Sequence, residues 1–424
     1  MKRFLSTLLA ATLAASVLAG CGGMKEPAPA AKEEPKKTET PAAAKGDSTG
    51  VTETTIKVGG FAAQSGPVAP IGISVRKGFE AFIKHTNDNG GVHGRKIEIV
   101  NVADDAFDGG KALAATKQLV ESDKVFALAP VLGTPGYLAS MDYIVEKNVP
   151  LVYPMTGVEQ TAHPAKKNIF AVQPNNFDEA KVLTQYAVKE LGKKKIAVFW
   201  QNSDMGKQGL KGIKEIAPKL GAEIVYEAPH DVKAVDFATP VLNAKAKGAE
   251  AVIVFTTLAE TVGILKEAKK QGLTAQMLTS YVNADPINLP KLAGDAAVGL
   301  IAGGWVPVAD PNSPDIKKFY EIYGSYNKDK DGKPELPNAF TTAGWIAAEL
   351  LVKGLQDAGK DLTREKLVAA LENLNNFNGI MAKGISYGPG NRSGVLNFYL
   401  NKVEKQGDQV IMLPISKEAY KLER

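Results

Sequence analysis

Residues 56–105 read IKVGGFAAQSGPVAPIGISVRKGFEAFIKHTNDNGGVHGRKIEIVNVADD. Ile56, Val58 and Gly60 alternate as a short strand does, and Ser65-Gly66-Pro67 makes a turn. Ile73, Val75, Phe79, Ala81, Phe82 and Ile83 then recur at near-helical spacing up to a stop at Asn89-Gly90-Gly91. Lys96 to Val102 reads as a second strand running into Asp104-Asp105. A strand, a helix and a strand of these lengths form a right-handed parallel crossover. The loop after the first strand is where an open parallel sheet presents ligand-binding groups.

The pattern continues along the chain. Strands are expected at Ile97–Val102, Val125–Pro130, Leu151–Tyr153, Ile169–Val172, Ile196–Trp200, Glu223–Tyr226, Ala251–Thr256 and Gln276–Thr279. Helical periodicity lies between them, and three later helices are expected near 314–327, 338–358 and 363–373. Regular alternation with short loops means α/β architecture with parallel sheets. The folded part exceeds one comfortable core, so two lobes are expected.

Composition narrows the function. The chain has 424 residues, net charge +5, 44% hydrophobic and 23% charged residues, with acids and bases interspersed. The longest basic run is Lys193-Lys194-Lys195, which suits a solvated surface and no nucleic-acid partner. One cysteine, Cys21, permits no intrachain disulfide, and four scattered histidines (His85, His93, His163, His230) give no ligand-like pairing for a metal. No phosphate loop and no G-x-S-x-G elbow occurs, so neither a cofactor nor an enzyme activity is indicated. Asn327-x-Asp329-x-Asp331-Gly332 resembles the start of a calcium loop, but Asn338 stands where the closing Glu belongs.

The N-terminus reads as an export signal over residues 1–21. Lys2 and Arg3 precede an apolar run from Phe4 to Val17, shorter than the ~20 residues that span a bilayer. Leu18-Ala19-Gly20-Cys21 resembles a bacterial lipobox, which implies acylation of Cys21 and a membrane anchor. Residues 22–54, rich in Ala, Pro, Lys, Glu and Thr, are expected to be a disordered tether.

Ser65-Gly66-Pro67, Gly72, Gly78, Asn87, Gly90-Gly91, Gly94-Arg95 and Asp104-Asp105 together resemble the opening of the leucine/isoleucine/valine-binding family of extracytoplasmic solute-binding proteins, which serve ABC importers. The resemblance runs to about Asn397. It implies the type I two-lobed periplasmic binding protein fold with three hinge crossings, placed near 173, 303 and 395. Lobe one is then 55–172 and 304–395, and lobe two 173–303 and 396–424. It further implies a monomer that works with permease and ATPase subunits and performs no covalent chemistry. A sensing receptor for a membrane signalling partner is the competing use of such a fold.

Site expectations follow from loops at strand ends and from the resemblance. Loop one holds Ser65 and Ile71, the latter where amino-acid-binding relatives often put an aromatic. Loop two, Leu132-Gly133-Thr134 before Pro135, reads as a Thr N-cap opening a helix, whose free N–H groups and dipole suit a carboxylate. Loop three holds Met155, Thr156 and Gly157, and the second lobe supplies Met205, Thr256 and Tyr281. Tyr281 stands where the resemblance implies an acid that pairs with an α-ammonium. Asp204 and Asp285 are the nearby acids in sequence. A buried ammonium without counter-charge is costly. Two ligand classes are therefore open: amino acids, and aromatic or aliphatic carboxylates without an amino group. Met155, Ile71 and Met205 could line an apolar wall or be ordinary packing residues.

Overall fold

The computed structural model describes residues 46–305, 313–395, 398–416 and 420. Cys21 and the export signal lie outside the described residues, as do Leu396 and Asn397.

The first half builds one sheet. Its elements are β1 (Thr55–Phe61), α1 (Ala69–Asp88), β2 (Lys96–Ala103), α2 (Gly109–Lys117), β3 (Ala127–Leu132), α3 (Thr134–Glu146), β4 (Leu151–Val152), β5 (Pro154–Met155) and β6 (Ile169–Phe170). The strand order is β2-β1-β3-β4-β6, with β5 also paired to β3, and every pairing is parallel. All six residues of β3 are buried, as expected of a strand covered by helices on both faces.

The chain then builds a second sheet from α4 (Asn176–Lys189), β7 (Lys195–Gln201), α5 (Asp204–Ile216), β8 (Glu223–His230), α6 (Ala238–Ala246), β9 (Ala251–Phe255), α7 (Leu258–Lys270), β10 (Gln276–Thr279), α8 (Asn288–Ala293) and β11 (Ile301–Gly304). Next come α9 (Pro314–Tyr326), α10 (Ala339–Asp357) and α11 (Arg364–Glu372), which pack back on the first sheet. Trp345, Ile346, Leu350 and Leu351 of α10 join Val58, Phe79 and Phe126 in one core, and Phe319 and Tyr323 are buried with them. Gly78 of α1 and Gly344 of α10 bring the two helices into backbone contact: a β-carbon on Gly78 would strike the Thr341 carbonyl, and one on Gly344 the Val75 carbonyl. The last strands, β12 (Tyr399–Gln406) and β13 (Gln409–Pro414), complete the second sheet in the order β13-β12-β11-β10-β9-β7-β8.

Three expectations change. The second sheet is not purely parallel, because β12 runs antiparallel to β11 and forms an antiparallel hairpin with β13. Residues 46–54, assigned to the tether, are fastened to the first sheet instead. Arg364 pairs with Asp47 at 2.6 Å, Arg95 Nε donates to the Thr52 carbonyl at 2.7 Å, and Val51 bridges to Ile56. The strand expected at Val125–Pro130 is shifted to Ala127–Leu132, which takes Leu132 out of the loop.

Candidate functional site

The candidate site lies where the C-terminal ends of the first sheet's central strands meet the first residues of α4 and the end of β10. Pairing of Val131 with Pro154 and of Leu132 with Met155 sets the loops after β3 and β5 side by side. Gly133 N–H donates to the Met155 carbonyl at 3.2 Å. The hydroxyls of Thr134 and Thr156 are then 2.7 Å apart, with Val158 N–H donating to Thr156 Oγ1 at 3.4 Å.

The N-cap of α3 is Gly133, not Thr134, and no side chain caps the helix. Gly133 has φ 107°, a value that glycine alone takes without strain, and this opens the helix one residue early. The Thr134 hydroxyl is thereby released from capping and turns to Thr156, while the first N–H groups of α3 lack helical partners. Two hydroxyls beside a helix N-terminus are suited to hold a carboxylate.

Opposite them, Gly157 meets residues of the second-sheet half. A β-carbon there would lie 2.5 Å from both Asn176 Oδ1 and the Tyr281 hydroxyl. Asn176 N–H donates to the Gly157 carbonyl at 2.7 Å. A hydrogen-bonded chain crosses between the halves: Tyr153 donates to Gln173 Oε1 at 2.9 Å, and Gln173 Nε2 donates to the Tyr281 hydroxyl at 2.9 Å. The half-buried Trp305 packs edge-on against Tyr153, with centroids 5.9 Å apart. Behind Tyr281, Glu179 is fully buried, accepting from Ser280 Oγ at 2.7 Å and from Tyr281 N–H at 2.6 Å. Burial pushes its carboxyl up to about 8 against those two hydrogen bonds, so it is mostly uncharged at neutral pH.

A second contact between the halves lies just beyond. Lys211 of α5 pairs with Glu159 at 2.9 Å, and Gln208 Oε1 accepts from Glu159 N–H at 2.9 Å. Lys181 and Lys211 both lie over the Phe177 ring, at 3.8 and 4.6 Å from its centroid.

Leu132, Gly133, Thr134, Met155, Thr156, Gly157 and Tyr281 therefore come together. Other expected residues do not join them. Ser65 is exposed, its N–H donating to Asp104 Oδ1 at 3.2 Å. The N–H of Gln64, with the hydroxyl of Ser65 and the N–H of Ala106, holds that carboxyl down to about 2. Ile71 and Met205 are half-buried packing residues of the first and second cores. Thr256 is fully buried, and its hydroxyl serves an internal network. It donates to Glu260 and meets His230 Nε2 at 3.1 Å, while Gln201 and the Lys233 N–H also bond to Glu260. Burial there raises the Glu260 carboxyl, but the hydrogen bonds of Thr256, Thr257, Gln201 and Lys233 outweigh it and the net shift is downward. Asp285 is occupied too, accepting from Ile287 N–H and Asn288 N–H at 2.9 and 2.8 Å.

Phe107, Gln173 and Asn176 were not expected. Phe107 has φ 62°, is 38% exposed, and lays its ring against Gly133. Among the described residues no cluster of three or more His, Cys, Asp or Glu side chains could hold a metal, and the Asp329 carboxylate instead accepts N–H groups of its own turn.

The periplasmic binding protein family model matches residues 55–408. The chain belongs to the periplasmic binding protein family. This family member is 30% identical to the Leu/Ile/Val-binding protein homolog 3 of Brucella melitensis over 227 residues, 53% of this chain and 60% of that relative. The chain thus spans less than two thirds of that relative's length. Among solved structures, a solute-binding protein of an ABC transporter from R. palustris, in complex with 4-hydroxybenzoate, superposes with TM-score 0.72 at 22% identity, covering 87% of this chain and 98% of that one. A branched-chain amino acid transporter substrate-binding protein from Streptococcus pneumoniae, in complex with isoleucine, gives TM-score 0.69 at 20% identity, covering 85% and 99%. At these identities the two structures share the fold with this periplasmic binding protein. No described helix is long and apolar enough to cross a membrane.

Proposed function

We propose that this chain is the extracytoplasmic solute-binding component of an ABC importer, and that it closes two lobes on a small carboxylate. The lobes are 55–172 with 304–395, and 173–303 with 396–424, joined near 173, 303 and 395. The observation that carries this reading is the Thr134–Thr156 hydroxyl pair at the uncapped start of α3, one residue before Gly157, which meets Tyr281 of the other half. Closure follows from the ligand's extra affinity for the closed form, since it touches both lobes only there. A lipid anchor at Cys21 holds the protein near its permease and ATPase.

The two solved structures described above, which share this fold, are complexes with isoleucine and with 4-hydroxybenzoate. The site favours the class without an amino group. Tyr281 replaces the expected acid, Asp285 is used by its own turn, and Glu179 is buried and mostly neutral. Of Tyr281, Asp285 and Glu179, none offers an α-ammonium a free carboxylate that is already charged at neutral pH. Titration calorimetry against carboxylates and amino acids, with small-angle scattering of the free and saturated protein, tests this reading. Binding of a carboxylate with a smaller radius of gyration supports it. Binding without contraction would remove the hinge, and absence of carboxylate binding would remove the site.

A further inference from the structure

Asn176 is 4% exposed, yet its side-chain oxygen has no hydrogen-bond partner among the described residues. Buried amide oxygens are nearly always paired, so an orphan beside a cleft asks for a partner from outside. The residue is held in place: its N–H bonds to the Gly157 carbonyl, and Asn175 caps α4 by accepting from Asp178 N–H at 2.8 Å. Asn176 Oδ1 faces the bare α-carbon of Gly157, and so does the Tyr281 hydroxyl, each 2.5 Å from where a β-carbon would sit.

The Tyr281 hydroxyl is also half-used. It accepts from Gln173 Nε2, because Gln173 Oε1 is taken by the Tyr153 hydroxyl. With the amide so turned, the phenolic hydrogen of Tyr281 points away from Gln173, and it donates to no described residue. An unused donor and an unused acceptor thus stand together over Gly157. A hydroxyl group is the small group that satisfies both, accepting from Tyr281 and donating to Asn176. A methylene satisfies neither. An ammonium donates only, leaves the Tyr281 hydrogen without an acceptor, and brings a charge that neither the phenol nor the amide offsets.

We propose that Tyr281 Oη–H and Asn176 Oδ1, at Gly157, form a neutral subsite for a hydroxyl on the carbon next to the ligand's carboxylate, so that the ligand class is the 2-hydroxycarboxylic acids. This rests on the carboxylate being held at Thr134 and Thr156, as proposed above. Gly157 follows Thr156 directly, with successive α-carbons about 3.8 Å apart, and on this adjacency the proposal sets the hydroxyl subsite beside the one for the carboxylate.

The test is calorimetry of the purified protein with two matched sets. One is 2-hydroxy-4-methylpentanoate, 4-methylpentanoate and leucine; the other is mandelate, phenylacetate and phenylglycine. In the set whose body fits, the hydroxy acid should bind at least about tenfold more tightly than its deoxy and amino partners, since a site built for a hydroxyl leaves its own groups unpaired without one. Asn176→Ala and Tyr281→Phe should each shrink the hydroxy-to-deoxy ratio below about threefold. Melting curves check that the variants fold, and Tyr281→Phe decides alone if Asn176→Ala does not. Equal binding of hydroxy and deoxy acids, preference for the amino acid, or a ratio that survives both substitutions overturns the hydroxyl subsite and leaves the carboxylate reading standing. Failure of all six compounds overturns both.

Discussion

Thr134 and Thr156 come from loops after different strands, yet their hydroxyls stand 2.7 Å apart at the start of α3. One of the two hydroxyls donates to the other, which leaves one hydrogen for an incoming carboxylate, and the second turns to the ligand when the carboxylate replaces the bond between the hydroxyls. Thr134→Val and Thr156→Val should each weaken carboxylate binding by about tenfold, the value of one hydrogen bond to a charged group. Titration of each variant checks this. Thr156→Val should also lower stability, because it removes the acceptor of the Val158 N–H.

Gly157→Ala tests the contact between the halves. The added methyl would stand 2.5 Å from Asn176 Oδ1 and from the Tyr281 hydroxyl, so one or both must withdraw. Ligand affinity should fall by more than tenfold with a drop in melting temperature of only a few degrees, since an overpacked contact costs roughly 1–3 kcal/mol. Unchanged affinity would separate Gly157 from the site.

Glu179 makes stability depend on pH in a predictable direction. Its carboxyl titrates near 4.5 when unfolded and is pushed up to about 8 in the fold. Between these values the folded chain holds a proton that the unfolded chain has released. This residue's contribution therefore falls as pH rises from about 4.5 to 8, and is level on either side. Glu179→Gln keeps an acceptor for the Tyr281 N–H and removes the titration. Measured by urea unfolding, the variant should gain on the wild type as pH is raised from 5 to 8.5. A constant difference between the two proteins across that range would contradict the assignment.

Gly78→Ala should destabilise the chain by roughly 2–3 kcal/mol, because a β-carbon there strikes the Thr341 carbonyl and helix backbone cannot yield as a side chain does. Urea unfolding followed by circular dichroism reads this out. A neutral result would mean that α1 and α10 pack less closely than described.

The fold was legible because its signals are periodic. Each strand–helix unit from Thr55 to Thr279 carries its own apolar alternation and its own stop, so β and α elements could be placed from local sequence. The β12–β13 hairpin was missed although Gly407-Asp408 between alternating residues is a turn signal. The site was less legible, because its geometry depends on which loops meet. Thr134 looked like an N-cap, but the positive φ of Gly133 moves the helix start and frees the hydroxyl. Thr256 looked like a cleft residue, while Thr257-x-x-Glu260 is a capping box that draws Thr256 into the Glu260 network. Asn176 carries no motif in the sequence, and only the structure shows its oxygen unpaired beside Gly157.

The most direct test of the central claim is a thermal-shift screen of the purified protein against small aromatic and aliphatic carboxylates and against amino acids. A ligand at 100 times its dissociation constant adds about 2.7 kcal/mol, a shift of several degrees in a chain of this size. The account expects acids without an amino group to raise the melting temperature, and leucine, isoleucine and valine to leave it unchanged. A shift by those amino acids alone would contradict it, and would mean that a carboxylate meets the ammonium where the structure places Tyr281.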